Sequence, residues 1–530
     1  MSRALAVVVA LVATLLTLTE PPAATAAPAA SGPAAATSTA TGTAAPAATA
    51  PTRTNRPHRL QRLHTTHGEH AAIVNEKGAQ VLLRGVNVNQ LGEYFQANPD
   101  LAPTIPLTRR DFHDIAAVGF NSVRLLVSWS RLEPTPGAYD TAYVAEIRQA
   151  VRWAAERGLY VVLDMHQDAY GIAVDTPLGE TCPSGTHPAN GWDGAPAWAT
   201  ITDGASTCTP SQRELAPAVM HAWQNFYDDT DGVQTHLVQT WGRLAQDFAR
   251  NSTVAGFDLL NEPGFGLDTA ANATTDLGRF YHRAIRAVRQ GERAGGGYSH
   301  PIFFEPNVMW SAFGSWGTPA PGFTRDRNIV FAPHIYAESL SPNSIESGFS
   351  SAATAAARYD APVWSGEWGF FPDQPADAAD QIRRYARSED ARGVGGAWWS
   401  WKQACGDPHV VSQPGGEPAA ISPSLNRYSC PEQVVSPIDP AFGDVLSRPT
   451  ARAVPGRIDL LATGGRHGAL DLRGTRTRDA ARCSLRVFVP ARLADEKVTV
   501  DGVRRLDRQH RSGNVVLRGC VADKFRLRIG

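Results

Sequence analysis

The sequence predicts an α/β protein, a (β/α)8 TIM barrel followed by a small C-terminal antiparallel β-sandwich. Three observations carry that expectation. Between residues 61 and 447, eight short apolar runs alternate with amphipathic stretches, the repeat of a parallel sheet closed by crossover helices. The first run continues as Arg84-Gly85-Val86-Asn87-Val88-Asn89, without the GxGxxG loop of an open dinucleotide-binding sheet. After residue 448 the chain turns to short alternating stretches broken by Gly, Asp and Pro, the texture of antiparallel strands.

The elements follow in order. Residues 4–18 are apolar after Arg3, shorter than the roughly 20 residues of a membrane span, and Ala24-Thr25-Ala26 offers a small-residue cleavage site. Residues 1–26 therefore read as a secretory signal peptide. Residues 27–60, almost wholly Ala, Thr, Pro, Ser and Gly, cannot bury enough apolar surface to offset chain entropy and form a linker. The barrel spans 61–447, with strands expected at 81–86, 122–127, 160–165, 256–260, 302–304, 329–332, 362–365 and 396–401. Helices are expected at 108–118, 142–157, 233–250, 276–289 and 376–387. Within 142–157, Val144, Ile147, Val151 and Ala154 recur at spacings of three and four, and Gly158 supplies a stop. The sandwich, 448–530, draws on alternating stretches at 484–489, 497–500, 514–517 and 525–529, and serves either to bind carbohydrate or to pack on the barrel.

Composition narrows the function. Hydrophobic residues make up 43% of the chain and charged ones 19%, with a net charge of -1, which excludes a disordered acidic chain and disfavours a basic nucleic-acid binder. All six cysteines lie beyond residue 181, and locality favours the pairs Cys182/Cys208, Cys405/Cys430 and Cys483/Cys520. None has the CxxC spacing of a zinc or thioredoxin-like site. With the signal peptide, they point to an oxidising, extracellular destination.

Side chains just past the C-terminal ends of barrel strands converge on one mouth. Strand 2 carries Arg124, strand 3 His166 and Asp168, strand 4 Asn261-Glu262-Pro263, strand 6 His334 and Tyr336, strand 7 Glu367 and strand 8 Trp398-Trp399-Ser400-Trp401. Taken alone, Asn261-Glu262 also suits a helix N-terminus, and Arg124 suits a core ion pair. Taken together, one carboxylate after strand 4 and another after strand 7 supply what glycoside hydrolysis requires, one group to protonate the leaving oxygen and one to attack or activate water. No HExxH pattern accompanies His166 and Asp168, so hydrogen bonding to sugar hydroxyls is preferred over a metal, and no cofactor is expected. Trp399 is the choice for the ring beneath a sugar, with Trp398 and Trp401 as rivals one register step away.

This set resembles glycoside hydrolase family 5 over residues of roughly 70–447. The stretches Leu83-Arg-Gly-Val-Asn87, Phe120-Asn-Ser-Val-Arg-Leu-Leu126, Leu132-Glu-Pro-Thr-Pro-Gly137 and Asp164-Met-His-Gln-Asp168 are most similar to its endoglycoceramidases, glycolipid-active members that also carry a C-terminal sandwich. The resemblance implies a retaining mechanism with Glu262 as acid/base and Glu367 as nucleophile, a glycolipid substrate cleaved between glycan and ceramide, and a secreted monomer that meets lipid surfaces transiently. A β-diglycosidase on plant glycosides, a β-1,4-glucanase and a sugar-binding protein on an inactive barrel are the competing readings. Such a mechanism needs Glu367 ionised, its pKa lowered by Arg124, and Glu262 protonated, its pKa raised by burial and by Glu367. Tyr336 is expected to orient Glu367, His334 to bond the sugar or the acid, and Asn261 to hold a sugar hydroxyl. The long insertion at 172–235, with Trp192, Trp198, Trp223, Phe226 and Tyr227, offers these aromatics either to the core or to a rim that receives the lipid.

Overall fold

The computed structural model describes residues 59–530 apart from 178, 269, 315, 372–373, 412–423 and 512. The expected signal peptide, and all but the last two residues of the linker, lie outside the described residues.

Eight parallel strands form the barrel: Arg84–Val88, Ser122–Ser128, Tyr160–His166, Val254–Asp258, Ile302–Phe304, Ile329–Phe331, Trp364–Trp368 and Gly395–Trp398, here strands 1 to 8. They pair in the order 6-5-4-3-2-1-8-7. A parallel bridge between Phe331 and Val363 closes the ring between strands 6 and 7. Side chains alternate along each strand. On strand 2, Val123, Leu125 and Val127 face the helices, and on strand 3 so do Val161, Leu163 and Met165. Their alternates, Arg124, Asp164 and His166, point the other way into the barrel and are fully buried. The lower interior is plugged by Val162, Ala255, Phe303, Val330, Trp364 and Ala397, and the polar layer rests on this apolar floor.

Local chemistry sets the helix limits. Thr141–Arg157 starts where the Asp140 carboxylate accepts from Ala142 N at 2.7 Å and Tyr143 N at 3.1 Å, and stops at Gly158 with φ 73°. The expected 276–289 helix runs further, over Ala270–Ala294, and the expected 376–387 helix runs over Ala378–Arg392. Two helices of more than ten residues were not foreseen, Pro217–Tyr227 inside the insertion and Ile345–Ala357, whose Ala- and Ser-rich sequence gives only a weak stripe, nor were the short ones at Trp129–Leu132, Met309–Phe313 and Pro440–Leu446.

The domain boundary differs most from expectation. Three short strands at the start of the described chain, Leu63–Thr65, Ile73–Asn75 and Ala79–Gln80, belong to the C-terminal sheet, because Val454 and Pro455 pair with Gln80 and Ala79. Leu63 and Ile73 also pack onto the barrel's apolar floor. The resulting nine-stranded antiparallel sheet thus combines both ends of the described chain. The stretches 514–517 and 525–529 are one strand, Asn514–Ile529, which pairs Thr450–Pro455's neighbour Leu485–Val489 along one half and Leu470–Thr475 along the other. Val498–Arg511 lines its opposite edge. The three disulfides join Cys182 to Cys208, Cys405 to Cys430 and Cys483 to Cys520.

Candidate active site

Arg124 is the hub of the polar layer. Its guanidinium, fully buried, donates from Nε to Asp258 Oδ2 at 2.9 Å, from Nη2 to Glu305 Oε1 at 2.7 Å and Asn261 Oδ1 at 3.0 Å, and from Nη1 to Glu367 Oε1 at 2.7 Å and Asn87 Oδ1 at 3.2 Å. Asp164 Oδ1 lies 2.9 Å from Nη2. Burial works against this cation and the four carboxylates outweigh it, so its pKa is raised well above the ordinary value. The two readings of Arg124 therefore merge: it is a core ion pair and also a direct partner of Glu367. Asp164, Asp258 and Glu305 have the buried, mutually close oxygens of a metal site, but the Arg124 guanidinium already binds all three.

Glu262 and Glu367 face one another across His334. Its Nδ1 lies 2.8 Å from Glu262 Oε1 and 3.4 Å from Glu367 Oε2, and its Nε2 lies 3.2 Å from Glu305 Oε1. Gly366 makes room for the ring, since a Cβ there would sit 2.9 Å from His334 Nε2. Tyr336 donates its hydroxyl to Glu367 Oε2 at 2.8 Å, and Ser311 donates to Glu262 Oε1. The backbone at Glu262 has φ 33°, a region unfavourable for a side-chain-bearing residue. Three hydrogen bonds hold it there: its N–H donates to Glu305 Oε2 at 2.8 Å, and Gln167 Nε2 donates to the carbonyls of Asn261 at 2.7 Å and Glu262 at 2.8 Å.

The direction of the pKa shifts in this pair differs from the sequence expectation. Burial works to raise the Glu262 carboxyl, but His334 and Ser311 outweigh it and hold it below the usual value. For Glu367 burial prevails over His334 and Arg124, and its carboxyl is raised. Both signs are opposite to those expected. His334 explains the first: burial disfavours its cation, but Glu305, Glu367 and Glu262 surround it and raise its pKa well above 6.5.

A second polar group adjoins the first. His166 Nδ1 lies 2.8 Å from Asp164 Oδ2, and His166 Nε2 lies 3.4 Å from Asp168 Oδ2. Asp168 also meets Arg213 Nη2 at 2.9 Å and His409 Nε2 at 3.5 Å. Burial opposes ionisation of Asp168, yet Arg213 and the two histidines hold its pKa well below the usual range. Despite burial, carboxylate partners raise His166 to about 10 and His409 to about 9. Asn261 caps no helix: its amide accepts from Arg124 and donates to Gln167 O at 3.0 Å. Trp399 stacks on His166 at 5.6 Å between ring centroids and clusters with Leu126 and Tyr336. Its rivals point elsewhere, Trp398 packing against Trp368, Phe370 and Phe442, and Trp401 donating from Nε1 to Asp111 at 3.1 Å.

The insertion's aromatics belong to the core. Trp192, Trp223, Phe226 and Tyr227 are buried, and Trp198 packs on Trp129. The exposed apolar side chains of the mouth loops are instead Leu215, Leu267, Trp316 and Leu340, which follow strands 3, 4, 5 and 6. Sequence reasoning missed Glu305, Asp258, Asn87, Ser311, Arg213 and His409. Glu305 had a signal, because strand 5 runs Ile302-Phe303-Phe304 directly into it. Ser311 and Arg213 come from short helical turns and His409 from the segment after strand 8, all of which only the folded chain brings to the mouth.

Residues 74–405 match the family described as Cellulase (glycosyl hydrolase family 5). Among curated proteins, Endoglycoceramidase I of Rhodococcus hoagii is 31% identical over 283 residues, 51% of this chain and 53% of that protein. The chain thus spans about half the length of the curated relatives it matches. Among solved structures, the crystal structure of endogalactoceramidase is 43% identical and superposes with a TM-score of 0.82 over 89% of this chain and all of that one. Endo-glycoceramidase II from Rhodococcus sp., solved as a lactosyl-enzyme intermediate, is 26% identical with a TM-score of 0.67, covering 87% of this chain and 99% of that one.

Proposed function

The chain belongs to glycosyl hydrolase family 5, and from that membership we propose that it is a secreted, retaining β-glycosidase that releases a glycan from ceramide or a similar lipid. The placement of His334 carries the mechanistic half. One nitrogen lies 2.8 Å from an oxygen of Glu262 and 3.4 Å from an oxygen of Glu367. Those two oxygens are then at most about 6.2 Å apart, a close approach that supports the short carboxyl separation of a retaining enzyme.

Glu367 is the nucleophile. Arg124 holds one of its oxygens and Tyr336 the other, which fixes the carboxylate plane while it attacks the anomeric carbon. Glu262 is the acid/base. Its lowered pKa suits the base half-reaction, in which it takes a proton from the water that hydrolyses the ester. For the acid half-reaction, the proton on His334 Nδ1 moves along the 2.8 Å hydrogen bond to Glu262 and on to the leaving oxygen as the C–O bond breaks. Esterification of Glu367 then removes one of the anions around His334. Asp168, His166 and the Asn261 amide are the partners for sugar hydroxyls, and Trp399 is the ring for the sugar face.

Likeness to the endogalactoceramidase structure and to an endo-glycoceramidase solved with ganglioside GM3 supports the lipid substrate. So do the exposed Leu267, Trp316 and Leu340 on three successive mouth loops. Apolar surface contributes about 25 cal/mol per Å2 removed from water, so ceramide burial should govern recognition. The three disulfides support export to an oxidising compartment, and we expect a monomer that touches lipid surfaces only in passing. The test is a panel of lactosylceramide, its short-alkyl analogue, a flavonoid disaccharide glycoside and carboxymethylcellulose. We expect a large loss of kcat/KM when ceramide is replaced by the short alkyl chain. Indifference to the aglycone, or preference for either of the last two substrates, would replace this reading with a diglycosidase or glucanase.

A further inference from the structure

The net charge of -1 conceals a separation of charge. Residues 448–530 hold 19 Lys and Arg against 8 Asp and Glu, a balance of +11, while the remaining residues hold 31 against 43. Many of the arginines are paired, as Arg526 is with Asp471 and Arg448 with Glu389 and Asp390. Four that the strand register gathers have no ion pair among the described residues: Arg452, Arg486, Arg511 and Arg518. Arg486 and Arg518 are direct cross-strand partners, and Ala453, next to Arg452, pairs with Arg486. Arg511 pairs with Asn514, and Asn514 shares a sheet face with Arg518 because four residues separate them.

This face meets the closed end of the barrel, away from the mouth. Arg452 Nη2 donates to Gly119 O at 3.1 Å and its guanidinium lies 4.6 Å from the centre of the Phe488 ring, while Asn514 Nδ2 donates to Ala117 O at 3.0 Å. Buried Nε atoms of Arg452 and Arg518 lack a hydrogen-bond partner. Asp507 lies opposite Arg518 and partly offsets the repulsion there, but it accepts from Gln509 at 3.0 Å and forms no ion pair with these arginines among the described residues. Burial and then Arg511 push Arg452 down to about 10, and burial followed by neighbouring arginines lowers Arg518. Bringing an anion here would relieve that mutual repulsion.

We propose that Arg452, Arg486, Arg511 and Arg518 form an anion-binding site at the seam between barrel and C-terminal sheet, and that it takes the sulfate or phosphate groups of a linear polyanionic chain. Guanidinium forks match tetrahedral oxyanions. A polymer fits better than a bilayer, because the exposed residues beside the site are charged and polar: Arg504, Arg505, Asp507, Arg508 and His510. Binding there would hold the enzyme by its closed end and leave the mouth free.

The test uses the full chain with labelled dextran sulfate and labelled inorganic polyphosphate as separate probes. Inorganic phosphate serves as competitor, and phosphatidylglycerol vesicles as the lipid arm. We expect binding to at least one soluble polymer that weakens steeply with salt. Arg511→Gln/Arg518→Gln should lose about tenfold or more in affinity, as expected when charge-assisted hydrogen bonds are removed. The equally charge-depleted Arg504→Gln/Arg505→Gln should lose far less. The single Arg511→Gln, at an exposed hairpin position, keeps the test valid if the double variant fails to fold, and should still weaken binding. Equal losses in both doubles would mean diffuse attraction and overturn the site. So would absence of polymer binding at low salt, or binding to vesicles alone.

Discussion

Glu367, the proposed nucleophile, accepts hydrogen bonds from Arg124 and Tyr336, while Glu262, the proposed acid/base, is hydrogen-bonded to His334, so the two glutamates should fail differently when removed. Glu367→Ala should abolish turnover of every substrate. Glu262→Ala should retain activity on an aryl glycoside with a good leaving group, and added azide should restore its turnover with a β-glycosyl azide as product; azide rescue confined to the Glu367 variant would reverse the roles. The histidines predict a pH response of definite sign. Their folded pKa values, about 9 for His409 and about 10 for His166, lie above the unfolded value of about 6.5. Their stabilisation is therefore complete below about pH 6.5 and lost as pH rises through the folded values. Asp168 acts in the opposite direction: its lowered pKa gives stability present above about pH 3.9 and lost as pH falls through the folded value. Melting temperature should thus fall between about pH 7 and 10, and His409→Asn should flatten part of that fall; an unchanged melting temperature across this range would contradict the charge network. At this scale the sequence disclosed which residue types end which strands, enough to find Glu262, Glu367, Arg124 and Tyr336. It did not disclose the signs of their electrostatics, because those depend on how deeply Glu367 is buried and on His334 lying against Glu262.

Elements were readable to the extent that their pattern was local. The helix at Thr141–Arg157 announced itself through a repeating apolar face and Gly158. The strands Leu63–Thr65 and Ala79–Gln80 did not, being three and two residues long and finding partners or packing far along the chain. The insertion after strand 3 is an element of mixed character: its aromatics build core, while its Arg213 reaches Asp168 at 2.9 Å and lies 3.4 Å from the centre of the Trp192 ring. The Cys182 to Cys208 disulfide closes this segment over a separation of 26 residues, a loop for which chain entropy alone suggests about 3 to 4 kcal/mol. Cys182→Ser/Cys208→Ser should lower the melting temperature and raise KM more than it lowers kcat, because Arg213 holds Asp168, the carboxylate proposed to bind sugar hydroxyls, and contacts neither Glu262 nor Glu367. A loss confined to kcat would mean that the insertion acts on the chemistry itself.

Over the whole molecule, barrel and sheet are joined by buried charge. Arg84, at the start of strand 1, lies 2.8 Å from Asp390, Arg448 lies 2.6 Å from Glu389, and Thr463 donates to Asp390 at 2.8 Å. Arg448→Ala would leave two acids with one cation in a buried place, a change that costs about 3 to 5 kcal/mol. Calorimetry should show one transition for the barrel and sheet together in the intact protein, moved to lower temperature in the variant; two separate transitions would mean that the units fold apart. The alternation of strands and helices made the barrel legible, and the alternating tail made the C-terminal sheet legible. Their interleaving was hidden because nothing local records that residue 80 pairs with residue 454. That pairing also sets a timetable for biosynthesis. The first strands leave the ribosome some 370 residues before the strand that completes their sheet, so that sheet cannot close until the last part of the chain is made. For the export proposed above, a sheet that cannot close during translation keeps the chain threadable, the state a membrane translocation channel requires of its cargo.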